Sequence, residues 1–299
     1  MDQEAPRRYR SLIEDWDAFL EAIERPLPHV VRANTLKIAS ADLFQRLIDA
    51  GADAVRSDWN EDLFEMMSPP GRRVEHWLGL YYIQEAVQTL PVLALDPQPG
   101  DTALDLCAAP GGKSTYIAAR MKNQGTLVAN EPSGRRQMSL LANINRLGVL
   151  NAMVTAYQGE NFPQQTAFDR ILVDAPCSAE GTLRKDPSLR PGASLPTIDR
   201  LARLQKRLII RAFDLLAPAG VLVYSTCTFA PEENEAVVDY LLQERPTACV
   251  VPCDLPIETS SGLTAWLGTR FDQQMDLCVR TYPHQISSGG GFLARIVRA

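Results

Sequence analysis

The chain has 299 residues, 45% of them hydrophobic and 22% charged, with a formal net charge of −6. That length supports one large domain or two modest ones, each with its own core. It contains no apolar run of about 18 residues for a membrane span, its opening MDQEAPRRYR lacks the apolar stretch of a secretory signal, and the expected setting is the cytosol. The six cysteines at 107, 177, 227, 249, 253 and 278 are too scattered for a disulfide framework, and with only three histidines a zinc site is not expected. The acidity sits in the first third: residues 1–95 carry 10 Lys+Arg against 16 Asp+Glu, whereas residues 96–299 carry 20 of each. Such a balance argues against a non-specific nucleic-acid binder, though not against a partner held by local basic patches.

Residues 1–95 read as a small α+β unit. Leu12, Ile13, Trp16, Phe19, Leu20 and Ile23 form a helical stripe over Ser11 to Ile23, ended by Arg25-Pro26. A strand follows from His29 to Leu36, with Arg32 and Asn34 on a solvent-facing strand and polar turn, and Ser40 is placed to cap a helix bearing Leu43, Leu47 and Ile48. Gly79-Leu80-Tyr81-Tyr82-Ile83-Gln84-Glu85 then leads into a helix through Leu95, and Asp96-Pro97-Gln98-Pro99-Gly100 marks the boundary to a second domain, 96–299.

From Asp101 the sequence alternates short apolar strands with helical patterns, the grammar of a parallel sheet with right-handed crossovers and so of an open α/β fold. Strands are expected at Thr102–Leu106, Thr126–Asn130, Met153–Ala156, Arg170–Asp174 and Val221–Ser225, and helices at Ser114–Lys122, Gly134–Leu147 and Pro196–Leu216. In such a sheet the carboxyl ends of the strands form the ligand crevice, so Glu131, Asp174 with Cys177, and Cys227 should converge.

The first strand runs straight into DLCAAPGGKS, Asp105 to Ser114, a glycine turn that opens a helix. A phosphate-cradling loop and a nucleoside clamp both fit this outline. The phosphate loop needs a glycine where Cys107 stands, and Pro110 removes an amide donor from the nest. Glu131, 26 residues after Asp105, is placed either to accept both ribose hydroxyls of a nucleoside or simply to favour a helix N-terminus. A nucleoside without pyrophosphate is then the better ligand, and S-adenosylmethionine fits. Cys177 and Cys227 stand at strand ends in polar surroundings, one close to Asp174. A lone cysteine there is usually a small buried apolar residue, but two suit the methylation of carbon 5 of a pyrimidine. A thiolate that adds to carbon 6 turns the ring into an enamine and then leaves.

The motifs DLCAAPGGKS, DAPCSAEGTLRKDP and YSTCTFAPEENE, with RANTLK at Arg32–Lys37, GLYYIQEA at Gly79–Ala86 and the closing GGGFLARI, resemble those of the NOL1/NOP2/Sun family of RNA cytosine-5 methyltransferases, within it the bacterial 16S ribosomal RNA enzymes of the RsmF kind. The resemblance implies a Rossmann-like methyltransferase sheet with helices on both faces, plus the small N-terminal domain. It implies Cys227 as nucleophile, Cys177 as the residue that helps release the covalent intermediate, and Asp174 and Lys113 beside the cytosine. It assigns Cys107, Ala108, Ala109, Pro110, Gly111, Gly112 and Lys113 to the cofactor loop, with Glu131, Arg136, Gln158 and Asp174 completing the S-adenosylmethionine site. Arg184 and Lys185 would lie on the RNA side. The implied substrate is ribosomal RNA, with transfer RNA or a catalytically weakened assembly factor as alternatives, and the implied state is a monomer without DNA or membrane partners.

Three positions depart from the family pattern. Gln158 replaces an aspartate, Val87 a serine, and Ala179 the glycine of the usual CSGEG. An alanine there disfavours positive φ and is expected to shift the loop that carries Cys177. Larger relatives continue into RNA-binding modules, so substrate choice here is expected from residues 1–95 and the catalytic face. Arg200, Arg203, Arg207 and Arg211 share one side of the long helix, as a solvated face or as a phosphate track.

Overall fold

The computed structural model describes residues 7–299; residues 1–6, part of the segment read for a missing leader, lie outside it. A 3-10 turn over Arg7–Leu12 precedes α1 (Trp16–Glu24). The helix expected from Ser11 begins later because the Asp15 side chain accepts the Ala18 N–H at 2.9 Å and so satisfies a free amide of the first turn. α1 does not join the N-terminal sheet. Its Trp16, Phe19 and Ile23 pack with Tyr9 against Leu183, Ile198, Phe229 and Tyr282 of the second half of the chain.

The antiparallel N-terminal sheet is built from β1 (His29–Ala33), β2 (Ala54–Arg56), β3 (Leu63–Met66) and β4 (Tyr81–Ile83), ordered β2-β3-β1-β4, with α2 (Ser40–Asp49) and α3 (Val74–Trp77) in its connections. Val31, Leu43, Leu47, Phe64 and Tyr81 form its own core. Ser40 is the first residue of α2 rather than its cap; its hydroxyl donates instead to Asp62, and Ala39 occupies the cap position. The solvent-facing reading of Arg32 and Asn34 is overturned, since they are only 1% and 3% exposed. β1 is a central strand, flanked by β3 and β4, and Arg32 reaches from it to the Gly112 carbonyl at 2.7 Å and Thr115 Oγ1 at 3.0 Å. Asn34 Nδ2 donates to the carbonyls of Gly79 and Leu147, both at 2.8 Å. Both side chains therefore tie the small sheet to its neighbour. The helix expected through Leu95 is a 3-10 turn over Ala86–Thr89 followed by the short α4 (Leu90–Leu95), whose Leu90, Val92 and Leu95 enter the core of the larger sheet.

That larger sheet begins with β5 (Thr102–Asp105), α5 (Gly112–Arg120), β6 (Thr126–Asn130), α6 (Gly134–Leu147), β7 (Ala152–Thr155), β8 (Phe168–Asp174), α7 (Leu195–Asp214) and β9 (Leu216–Thr226). The five strands are parallel in the order β7-β6-β5-β8-β9. Alternate residues feed two cores. Leu104, Ile171, Val173, Leu222 and Tyr224 meet Leu208 and Phe213 of α7 with Val237 and Leu241 on one face. Ala103, Leu172, Val221 and Val223 meet Ile117 of α5 and Leu140 of α6 on the other. This is the expected sheet with helices on both faces.

The remainder adds an antiparallel flank that the strand pattern did not announce. After α8 (Glu235–Glu244) come β10 (Ala248–Val251), β11 (Ser260–Ser261), a small hairpin of β12 (Ala265–Trp266) and β13 (Thr269–Arg270), then β14 (Val279–Thr281), α9 (Pro283–Ile286) and β15 (Gly291–Arg298). β15 pairs antiparallel with β9, β14 and β10, and β11 pairs with β14.

Candidate active site

The strand order reverses between β5 and β8, and at such a point the loops leaving two neighbouring strands diverge and open a crevice. The DLCAAPGGKS turn leaves β5 there. Gly111 sits at φ 106°, a conformation that an L side chain resists, and a Cβ on Gly112 would come within 3.0 Å of the Tyr82 ring. The two glycines thus let the loop turn tightly under β4 and start α5 at once. Asp105, at the end of β5, accepts the Ser114 hydroxyl at 2.6 Å, and its burial pushes its carboxyl up to about 6.

Lys113 does not point at a phosphate nest. Its Nζ donates to Asp174 Oδ2 at 2.7 Å and to Gln88 Oε1, and it lines a cavity rather than the helix end. Burial works against its charge, but the attraction and hydrogen bond of Asp174 outweigh that and raise its pKa. The phosphate-loop reading falls on this geometry. Asp174 is held from its other oxygen by Ser225 Oγ at 3.0 Å.

Cys177 follows β8 and Cys227 follows β9, and their sulfurs stand 3.2 Å apart, with the Cys227 N–H also directed at Cys177 Sγ at 3.4 Å. The hydrogen bond to Cys227, and then burial, push the Cys177 thiol well above its ordinary range. Ala179 takes φ 60° in the left-handed region. The Ala179 carbonyl accepts the Thr182 N–H at 2.9 Å and the Thr182 hydroxyl at 2.7 Å, which closes the turn after Cys177 in this conformation.

Two cavities meet at this point. One, of about 270 Å³, is lined by Glu131, Arg136, Gln158, Leu204 and Leu208. The other, of about 590 Å³, opens toward the N-terminal sheet and is lined by Lys113, Gln88, Tyr82 and His29. Both touch Cys107, Ala109, Asp174 and Cys227. In the smaller cavity the Glu131 carboxylate is buried, accepts the Ser133 N–H at 2.9 Å and faces Arg136 Nη1 at 3.0 Å, while Arg136 Nη2 donates to the Ala109 carbonyl at 2.8 Å. A fixed acidic acceptor at one end, an apolar wall and two sulfurs at the other suit a nucleoside with a reactive group at its far end.

Most residues expected from the sequence come together here. Arg184 lines the larger cavity, and its guanidinium also donates to the carbonyls of Arg25, Pro26 and Ser288 and so anchors the segment after α1. Lys185 is exposed, with Glu85 at 3.7 Å. Of the arginines on α7, Arg211 is tied to the Phe162 carbonyl and Gln164, and Arg207 faces Glu160, which leaves Arg200 and Arg203 exposed without these ties. Sequence reasoning missed Gln88, whose only signal was its place just after GLYYIQEA. It also missed Gln205, whose amide joins the Pro176 carbonyl to Glu233, both at 2.8 Å, and so holds the Cys177 loop. Among the described residues no group of three or more His, Cys, Asp or Glu could hold a metal ion.

Sheet order, glycine turn and the acidic residue after β6 define the methyltransferase class of Rossmann-like domain. The chain belongs to the RsmB/F family of 16S rRNA methyltransferases, whose model matches residues 92–297, and the model of the RsmF N-terminal domain matches residues 5–86. The cofactor of this family is S-adenosylmethionine. The Schizosaccharomyces pombe "25S rRNA (cytosine-C(5))-methyltransferase nop2" is 40% identical over 93% of the chain and 47% of its own length. The Pyrococcus abyssi "tRNA (cytosine(49)-C(5))-methyltransferase" is 37% identical over 96% of the chain and 93% of its own length. A crystallised methyltransferase homologue from Pyrococcus horikoshii superposes with a TM-score of 0.86 at 34% identity, covering 98% of this chain and 94% of its own. The chain spans less than half the length of several curated relatives it matches.

Proposed function

We propose that the protein methylates carbon 5 of cytosine in RNA, with Cys227 as nucleophile and ribosomal RNA as substrate. The observation that carries the reading is the pair of thiols 3.2 Å apart where the two cavities join. In the smaller cavity Glu131 would hold the ribose and Gln158 the adenine of S-adenosylmethionine, which when bound would supply an electrophilic methyl group. The cytosine enters the larger cavity, where Asp174 accepts from its amino group and Lys113 donates to its ring. The Cys227 thiolate adds to carbon 6, and the electron pair pushed to carbon 5 makes that carbon nucleophilic. After carbon 5 has received the methyl group, the Cys177 sulfur, its own proton first passed to solvent, would take the carbon 5 proton; the electron pair of that bond re-forms the ring double bond as the carbon 6–sulfur bond breaks and frees Cys227 as thiolate. The target base must be unpaired or flipped out, at a cost of roughly a few kcal/mol. Residues 1–95 act as the accessory unit that closes the RNA side, and the monomer works in the cytosol, a setting that suits six unpaired cysteines.

The test is transfer of labelled methyl from S-adenosylmethionine to ribosomal and transfer RNA, with the two cysteine variants alongside. Cys227→Ala is expected to lose at least about 10³-fold in rate, as removal of a nucleophile does. Cys177→Ala is expected to accumulate a protein–RNA adduct that survives denaturant. No label on either RNA overturns the reading, label on transfer RNA alone replaces the substrate, and equal behaviour of the two variants removes the division of labour.

A further inference from the structure

Lys113 has one anchor on the methyltransferase sheet and one outside it. The outer anchor is Gln88, in the 3-10 turn between the N-terminal sheet and α4. The Gln88 carbonyl accepts from Gln84 Nε2 at 3.0 Å, and Gln84 Oε1 accepts from Arg32 Nη1. Arg32 is held over the rings of Tyr116 and Tyr82, at 4.5 and 5.5 Å, and grips the carbonyl of Gly112, the residue before Lys113. β1, the turn and α5 thus form a closed chain of hydrogen bonds around the lysine. A lysine stem has four rotatable bonds, and one salt bridge fixes its reach more than its direction. Two acceptors on different elements fix both and leave one N–H of three to serve the cavity.

We propose that Gln88 is a positioning residue that orients Lys113 against Asp174, set from the N-terminal sheet through Gln84 and Arg32. The inference rests on the proposed methyltransferase function for its kinetic readout only. Gln88→Leu keeps the bulk and removes the acceptor; Gln88→Glu keeps an acceptor. The Leu variant is expected to lose about tenfold in kcat while the KM for S-adenosylmethionine stays within about twofold, as misorientation of a group near the reacting atoms would do. The Glu variant is expected to stay within about threefold of wild type. Wild-type kcat in the Leu variant overturns the proposal, and equal losses in both variants assign Gln88 to packing and overturn it as well. A second measurement needs no RNA: acylation of Lys113 by acetic anhydride, followed by peptide mass spectrometry. The freed amine of the Leu variant is expected to react about threefold faster than that of wild type or the Glu variant. Equal rates in all three refute the positioning role even if wild type methylates nothing, whereas an inert wild type with this acylation difference refutes the function alone.

Discussion

The two halves of the large sheet divide the work differently. The parallel half, β5 to β9, ends in Asp105, Asp174, Cys177 and Cys227 and supplies much of the lining of the two cavities, while nothing from β10 onward lines either one. The antiparallel flank instead fixes the loops that carry the chemistry. Gly181 N–H, in the loop after Cys177, donates to the Cys227 carbonyl, and Gly290 N–H donates to the Gly181 carbonyl, both at 2.8 Å. A Cβ on Gly181 would lie 2.1 Å from the Gly290 oxygen, and one on Gly291 would lie 2.5 Å from the Thr226 oxygen. The closing glycines therefore let β15 run flush against the thiol loops. Reactive groups collect where parallel strands end, and their support comes from a region that lines neither cavity.

If that division holds, damage to the flank should cost stability rather than chemistry. Arg280 on β14 and Glu235 at the start of α8 are both buried, joined by two hydrogen bonds at 2.6 and 2.7 Å, with Arg280 also donating to the Phe229 carbonyl at 3.0 Å. Arg280→Met leaves the Glu235 carboxylate buried without its partner, which costs about 3–5 kcal/mol. The expected result is a large fall in the denaturation midpoint, with methyl transfer per folded molecule retained at low temperature. Lost transfer in a folded variant would break the comparison.

The front edge carries the opposite signature, a group that weakens the fold. Asp105 is buried with one oxygen on Ser114 and no hydrogen bond to the other. Its folded-state pKa of about 6 lies above the ordinary 3.8. Between those values the folded chain holds a proton that the unfolded chain has released, so unfolding becomes easier as pH rises through that window. Two units correspond to roughly 3 kcal/mol at most. Asp105→Asn keeps an acceptor for Ser114 and cannot ionise. Its stability relative to wild type should climb from pH 4 to pH 6 and level off above, as read from urea midpoints across that range. A flat difference would show that the carboxylate is not penalised by its site.

The same contrast explains what could be read from the sequence. Parallel strands are covered on both faces and appear as continuous apolar runs, so β5, β6 and β8 were legible with their helices, and the reactive residues followed from where those runs end. β14 and β15 escaped because Arg280 sits within one of them and GGG opens the approach to the other, which hides a strand from pattern reasoning. Arg32 was misread for a related reason. A charged residue on an alternating strand looks solvated unless its carbonyl, hydroxyl and aromatic partners, up to 84 positions away at Tyr116, are known. Gln88 was invisible because its role depends on a lysine 25 residues later that only the folded turn brings close.

The smallest effect concerns the joint between the two halves. Ala179 holds φ 60°, ψ 20° just after Cys177, a conformation that costs an L residue about 1–2 kcal/mol. Glycine removes that penalty but loses about 0.4–1 kcal/mol through the greater freedom of the unfolded chain. Ala179→Gly should therefore raise stability by roughly 0–1.6 kcal/mol, the difference of those terms. Methyl transfer should stay within about twofold, because the thiol loop already holds Cys177 at 3.2 Å from Cys227 with alanine in place. A denaturant titration with unchanged slope reads the first quantity and initial rates read the second. A destabilised glycine variant would mean that the Ala179 methyl adds more to this turn than its backbone conformation costs.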